Sequence, residues 1–286
     1  MVELHAALAE RVSAWRTEGY PTDHFPAIAE ILQFATEDHD GEAPGSGTLR
    51  YLRAAQLRAL ETYWYLRLVA GTPRIPDLYR TLFPTTSERL AALGLDKDVF
   101  KTIALDLGYD GLIERIRTDD EFARSHRLDA LRETLALEYP SWILALAMGA
   151  GKTVLIGAII ATEFALALEY PDAADGERGP TFIENALVFA PGTTILESLR
   201  ELSRIPFERI LPDRLHQRFA ASLKITYTRD GERDIPVIRA IRLGPKDESA
   251  FVPVEDEGGD ESYLLLGKHA KCEILVAPPT PSELMQ

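Results

Sequence analysis

An apolar run, Trp142-Ile-Leu-Ala-Leu-Ala147, leads into Met148-Gly-Ala-Gly-Lys-Thr153, and a second apolar run continues to Ile160. An unbroken apolar run is the pattern of a buried parallel strand, because a strand covered on both faces has no polar side to alternate with. Gly149-Ala150-Gly151 closes a tight loop from small residues, and Lys152 and Thr153 open a helix. A strand, a Gly-rich loop and a helix N-terminus together form a phosphate cradle: backbone N–H groups converge there and the positive end of the helix dipole favours anions. In such a cradle Lys152 reaches the β- and γ-phosphates of a nucleotide and the Thr153 hydroxyl holds Mg²⁺. The strict loop pattern carries Gly six residues before the Lys; that position is Leu146, while the core Gly149-x-Gly151-Lys152-Thr153 is intact.

A chain of 286 residues is one large or two ordinary domains, with an ample core. No apolar run reaches the length of a membrane span. The N-terminus lacks a basic start followed by an apolar core, so no secretory signal is expected. A single cysteine, Cys272, excludes an internal disulfide framework and a cysteine zinc cluster, and it reads as a small buried hydrophobe. The expectation is a soluble cytoplasmic protein. The formal net charge is −14, which argues against nucleic-acid binding by bulk charge and leaves only a local groove or further polypeptide for that purpose. Much of the acid lies in Lys246–Glu261, which reads as a solvated loop.

Periodicity organises the rest. Leu4, Leu8, Val12 and Trp15 share one helical face, and Ile28, Ile31, Leu32 and Ala35 another. Asp38 to Thr48 is a polar, Gly-rich linker, so 1–48 reads as a helical N-terminal region. Leu57, Leu60, Trp64 and Leu68 stripe a further helix within Leu49–Val69, headed by Leu52-Arg-Ala-Ala-Gln56 and ended by Gly71-Thr-Pro, and 49–82 reads as the region built on it. Short helices are expected over Asp77–Phe83, Ser87–Leu93 and Asp96–Leu107, with Leu128, Leu131 and Leu135 on the face of a last one. The cradle helix should run from Lys152 to about Tyr170. Ala186-Leu-Val-Phe-Ala-Pro191 reads as the next buried strand. Thr193 or Thr194 can cap a helix after it. Leu223–Thr228 and Ile235–Ile241 read as a hairpin about Asp230-Gly231, and Glu273–Ala277 as a last strand. This order argues for an α/β fold with a parallel sheet in 141–286.

These motifs together resemble a family. Ala147-Met-Gly-Ala-Gly-Lys-Thr153 resembles motif I of superfamily 2 helicases, which tolerates a non-Gly residue at Leu146. Ala186-Leu-Val-Phe-Ala-Pro-Gly-Thr-Thr-Ile195 resembles motif Ia, most closely in the branch of the type III restriction enzyme Res subunit and the UvrB N-terminal region. Leu52-Arg-Ala-Ala-Gln56 resembles the upstream Gln motif. The resemblance covers about Leu49 to Ile241. It implies an incomplete RecA-like P-loop parallel sheet, binding ATP and Mg²⁺ and tracking on double-stranded DNA, in an ATP-dependent motor of restriction type. Carried over, Met148, Gly149, Ala150, Gly151, Lys152, Thr153 and Val154 hold the nucleotide. Lys152 is the catalytic residue, Thr153 the Mg²⁺ ligand and Gln56 the reader of adenine. Pro191, Gly192 and Thr193 lie along the DNA backbone. A methyltransferase or specificity subunit, or a second polypeptide completing the motor, is an implied partner.

Two departures qualify that resemblance. A segment over 83–140 separates Gln56 from motif I and reads as a helical insertion. Hydrolysis also needs carboxylates for Mg²⁺ and for the attacking water, which the family supplies from an Asp-Glu pair at a strand end. Asp247-Glu248, Asp256-Glu257 and Asp260-Glu261 occupy no such position and read as acidic turns. The chain reads as the front part of a motor, inactive alone. A non-catalytic nucleotide- or DNA-binding module, or another P-loop NTPase or kinase, are the alternatives. Arg200, Arg204, Arg209, Arg214, Arg218 and Lys224 form a candidate positive patch, but Glu197, Glu201, Glu208 and Asp213 interleave, so a solvated mixed-charge face is the stronger reading.

Overall fold

The computed structural model describes residues 3–37, 47–137, 141–171, 182–189, 200–227, 250–255, 261–266 and 272–277. The chain is α/β in class, and its described residues are mostly helical. Among the described residues no helix is long and apolar enough to cross a membrane. The fold divides into two compact units, both discontinuous in sequence: 1–22 with 61–145, and 23–60 with 146–286.

Among the described residues, every regular element of the first unit is helical. Helix α1 (Leu4–Thr17) buries Val12 and Trp15, as its stripe predicts, with Leu4 and Leu8 half-buried. Glu61, in the second half of α3 (Ala54–Trp64), is fully buried. There it accepts two hydrogen bonds from the Arg16 guanidinium and one from the Tyr20 hydroxyl at 2.7 Å. A buried carboxylate needs partners of this kind, since desolvation without them is costly. After Trp64 one turn widens into a π-helix (Tyr65–Val69), which moves Leu66 rather than Leu68 into the core.

Helices α4 (Ile75–Leu82) and α5 (Thr86–Ala92) follow the predicted spans to within two residues. Thr85 begins α5 with a complete capping box to Glu88. Helix α6 (Asp98–Thr118) runs well past the expected end at Leu107; a kink at Gly108, at φ 75°, joins two helical pieces. Helices α7 (Asp120–Ser125) and α8 (Asp129–Ala136) complete the unit. Leu90, Leu95, Phe100, Leu112, Ile116 and Leu135 form the core beneath α5–α8.

The second unit is built on α9 (Lys152–Glu169), whose predicted limits hold. It is buried nearly all round from Leu155 to Ala167, which is expected of a helix without a polar face. Helix α2 (Ala27–Phe34), helix α10 (Asp213–Ser222) and the 3₁₀ turn Arg200–Arg204 pack against it. The segment approaches so closely that a Cβ on Gly157 would stand 2.4 Å from Ile205 Cδ1 and 3.3 Å from Leu202 Cδ2, so a larger residue there would have to displace those side chains. Phe25 closes the far end of α9, edge-on to Tyr170 and Phe182 with ring centroids 5.2 and 4.8 Å apart.

Strands β1 (Thr36–Glu37) and β2 (Thr48–Leu49) make a short antiparallel pair. Strands β3 (Asn185–Phe189), β4 (Leu223–Tyr227) and β7 (Cys272–Ala277) form a parallel sheet in the order β3-β7-β4. Leu187 lies opposite Leu275, and Ile225 opposite Ile274. The three strands match the predicted runs. However, β4 pairs in parallel with β7, and the expected hairpin partner 235–241 lies outside the described residues.

Two expectations are corrected. Ser141 to Ala147 forms neither strand nor helix, and Ile143 is 93% exposed. An apolar run becomes a buried strand only where a ladder partner and two covering layers exist, and no strand pairs with this segment among the described residues. Trp142 is half-buried and packs edge-on to Tyr63, with ring centroids 5.5 Å apart. Part of the acidic loop is instead a ribbon: β5 (Ala250–Glu255) pairs antiparallel with β6 (Glu261–Leu266). Pro253, opposite Tyr263, is tolerated because a two-stranded ribbon leaves outward N–H positions unpaired.

Candidate functional site

The site is built where α9 begins. Gly151 is the residue before the helix and takes a left-handed conformation, φ 78° and ψ 50°. Gly149 is left-handed as well, at φ 73°. Two such residues around Ala150 turn the chain sharply enough to bring the loop over the helix end, and a side chain at either would be strained. The Ala150 N–H closes the turn on the Ala147 carbonyl at 3.2 Å.

No side chain caps α9, and its first turn carries no acidic residue. The N–H groups of Lys152, Thr153 and Val154 have no acceptor within the helix, and the dipole end they form is unopposed. Lys152 is exposed, Thr153 and Val154 are half-buried, and Met148 is 97% exposed. The loop and the helix end therefore offer donors and a cation to solvent, the chemistry of an anion cradle.

Behind the loop stands the first turn of α3. The Gln56 Oε1 accepts the Arg53 N–H at 2.7 Å, the N3-to-N-cap half of a capping box. The Gln56 Nε2 donates to the Gly151 carbonyl at 2.8 Å, and the same carbonyl accepts the Leu155 N–H at 3.1 Å. Arg53 Nη1 donates to the Gly149 carbonyl at 2.7 Å. Gln56 is only 2% exposed, so the commonplace reading of a surface residue at a helix start does not hold. Arg53 is the residue that sequence reasoning passed over. Its spacing to Gln56 marks a helix cap, but nothing local marks the contact of either residue with a loop more than ninety positions away.

Pro191, Gly192 and Thr193 lie outside the described residues, as do Thr194 and the three acidic pairs apart from Glu261. Three arginines of the candidate positive patch are engaged, whereas Arg204 is exposed. Arg214 pairs with Glu30 at 2.8 Å and with Glu169, Arg218 pairs with Glu169 at 2.8 Å, and Arg209 donates to the Arg50 carbonyl. Hydrogen bonds from Arg214 to Glu30 and then Glu169 hold its guanidinium more firmly protonated than usual. No protein-family model, curated protein or solved structure matches the chain significantly.

Proposed function

We propose that the chain is a P-loop nucleotide-binding module, the ATP-binding part of a restriction-type superfamily 2 motor with a RecA-like sheet. The observation that carries this reading is the uncapped, acid-free start of α9 behind two left-handed glycines, with Lys152 as its first residue. The loop residues fit the group: uncapped N–H donors stand beside an exposed lysine, and the first turn of α9 carries no carboxylate to oppose a phosphate. Lys152 would neutralise charge on the terminal phosphates, and the Thr153 hydroxyl would hold Mg²⁺, which would offset phosphate charge further. The parallel strands β3, β4 and β7 are of the kind the reading requires, since nucleotides lie at the carboxyl ends of such strands. Duplex DNA, and a second polypeptide completing the motor, belong to the same proposal.

Turnover by the 286-residue chain should be negligible. Strand β3 is followed by Ala190-Pro191, β4 by Thr228-Arg229 and β7 by Pro278-Pro279. None of these strand ends supplies the Asp-Glu pair that would position Mg²⁺ and the attacking water. This favours a second description, a module that holds nucleotide without consuming it. The test is an equilibrium titration with ATP, with and without Mg²⁺, alongside hydrolysis assays with and without duplex DNA. Saturable binding that is lost in Lys152→Ala supports the reading. Binding unaffected by Lys152→Ala sinks it, and robust DNA-stimulated hydrolysis sinks the prediction of inactivity.

A further inference from the structure

We propose that Gln56 and Arg53 are positioning residues that set the shape of the phosphate loop before a nucleotide arrives, and that Gln56 does not select the base. This rests on the nucleotide-binding reading of the loop.

A glutamine reads an adenine edge by presenting its carbonyl oxygen and its amide N–H side by side. Both groups of Gln56 are already engaged. Its oxygen caps α3 through the Arg53 N–H, and its amide holds the Gly151 carbonyl. The side chain is buried, so turning it toward a base would take the acceptor from the Arg53 N–H and leave the Gly151 carbonyl with the Leu155 N–H alone, which is costlier than leaving the pair intact.

The hold on Gly151 has a directional consequence. A peptide unit is planar and trans, so its C=O and N–H point in opposite directions. By fixing the Gly151 carbonyl toward α3, Gln56 aims the Lys152 N–H away from α3. Arg53 fixes the Gly149 carbonyl in the same way, and the Ala150 N–H of that peptide closes the turn. Sterics make the arrangement exclusive: a Cβ on Gly151 would lie 2.3 Å from Gln56 Nε2. The loop is thus pre-shaped, which lowers the cost of ordering it on binding.

The experiment uses the 286-residue chain as wild type, Gln56→Glu, Arg53→Met and Lys152→Ala. Gln56→Glu keeps the acceptor for the Arg53 N–H but places an anionic oxygen against the Gly151 carbonyl. Arg53 is exposed, so Arg53→Met tests the clamp without threatening the fold. Amide hydrogen exchange of 149–153 is read without nucleotide, and fluorescent ATP and GTP analogues are titrated in parallel. In Gln56→Glu, loop exchange should rise, and both nucleotides should weaken about tenfold with their ratio unchanged. Arg53→Met should loosen the loop less, by about threefold. Selective loss of the ATP analogue with unchanged exchange shows that Gln56 reads the base, and overturns the proposal while leaving nucleotide binding intact. If wild type and Lys152→Ala alike bind neither analogue, the nucleotide reading fails, and exchange alone decides the clamp: unchanged exchange in both variants overturns it.

Discussion

The Gln56 Nε2 donates to the Gly151 carbonyl across 2.8 Å, joining residues 95 positions apart. That bond ties the helix carrying Gln56 to the residue on which α9 begins, and it leaves no room at Gly151 for any side chain.

Glycines 149 and 151 should therefore respond differently to alanine. Both are left-handed, but a Cβ at Gly149 meets nothing within 4 Å, whereas one at Gly151 meets Gln56. Gly149→Ala should cost about 1 kcal/mol of backbone strain. Gly151→Ala should cost about 2–3 kcal/mol, because Gln56 must also give up its bond. Urea denaturation of the two variants checks this, and equal losses would contradict it.

Glu61 should be among the least replaceable polar residues of the first unit. Its carboxylate is fully buried under Arg16 and Tyr20. Glu61→Ala leaves the half-buried Arg16 without its partner and should destabilise by about 3–5 kcal/mol. The joint replacement Arg16→Met with Glu61→Leu should recover most of that loss, because no uncompensated charge remains. Chemical denaturation of the single and double variants distinguishes the two outcomes.

Alkali should weaken the first unit in a defined window. Burial pushes the Tyr109 phenol up to about 12, partly offset by the nearby charges of Arg80 and Arg89. The folded value lies above the ordinary 10.0, so the stabilisation from keeping the phenol neutral is complete below pH 10. It is lost as pH rises toward about 12. The Tyr109 hydroxyl has no hydrogen-bond partner among the described residues. Tyr109→Phe should therefore change neutral stability by less than about 1 kcal/mol and flatten the alkaline loss. Stability curves measured across this range, followed with tyrosinate absorbance, test both parts.

The arginines of α10 should matter little to DNA. Arg214 and Arg218 are engaged by Glu30 and Glu169, and their side chains remain about half exposed, at 48% and 59%. Arg214→Ala should cost about 0–1 kcal/mol, and Arg218→Ala should leave duplex affinity and its salt dependence unchanged. A clear drop in affinity, or a shallower salt slope, would restore the positive patch as a DNA surface.

Much of the helical order was legible because it is written locally. The stripe Val12–Trp15, the run Ile28–Leu32 and the start of α9 at Lys152 all follow from spacing and small-residue punctuation. The continuation of α6 past Gly108 and the π turn after Trp64 were not, since each depends on how neighbouring turns pack rather than on any residue's own preference. The apolar run at Trp142 shows the same limit from the other side: apolarity states what a segment can bury, and only neighbours decide whether it does so.

The punctuation of the site is written in one short stretch of sequence. Gly149 and Gly151 permit the left-handed turn, Lys152 and Thr153 begin the helix, and no acid stands in its first turn. Backbone sterics and helix geometry act over a few residues, so one short stretch suffices to specify them. The roles of Gln56 and Arg53 come instead from long-range packing. Their amide and guanidinium donors meet carbonyls brought beside them by the packing of the second unit, and a hydrogen bond between residues 95 positions apart has no signature in either neighbourhood of the chain.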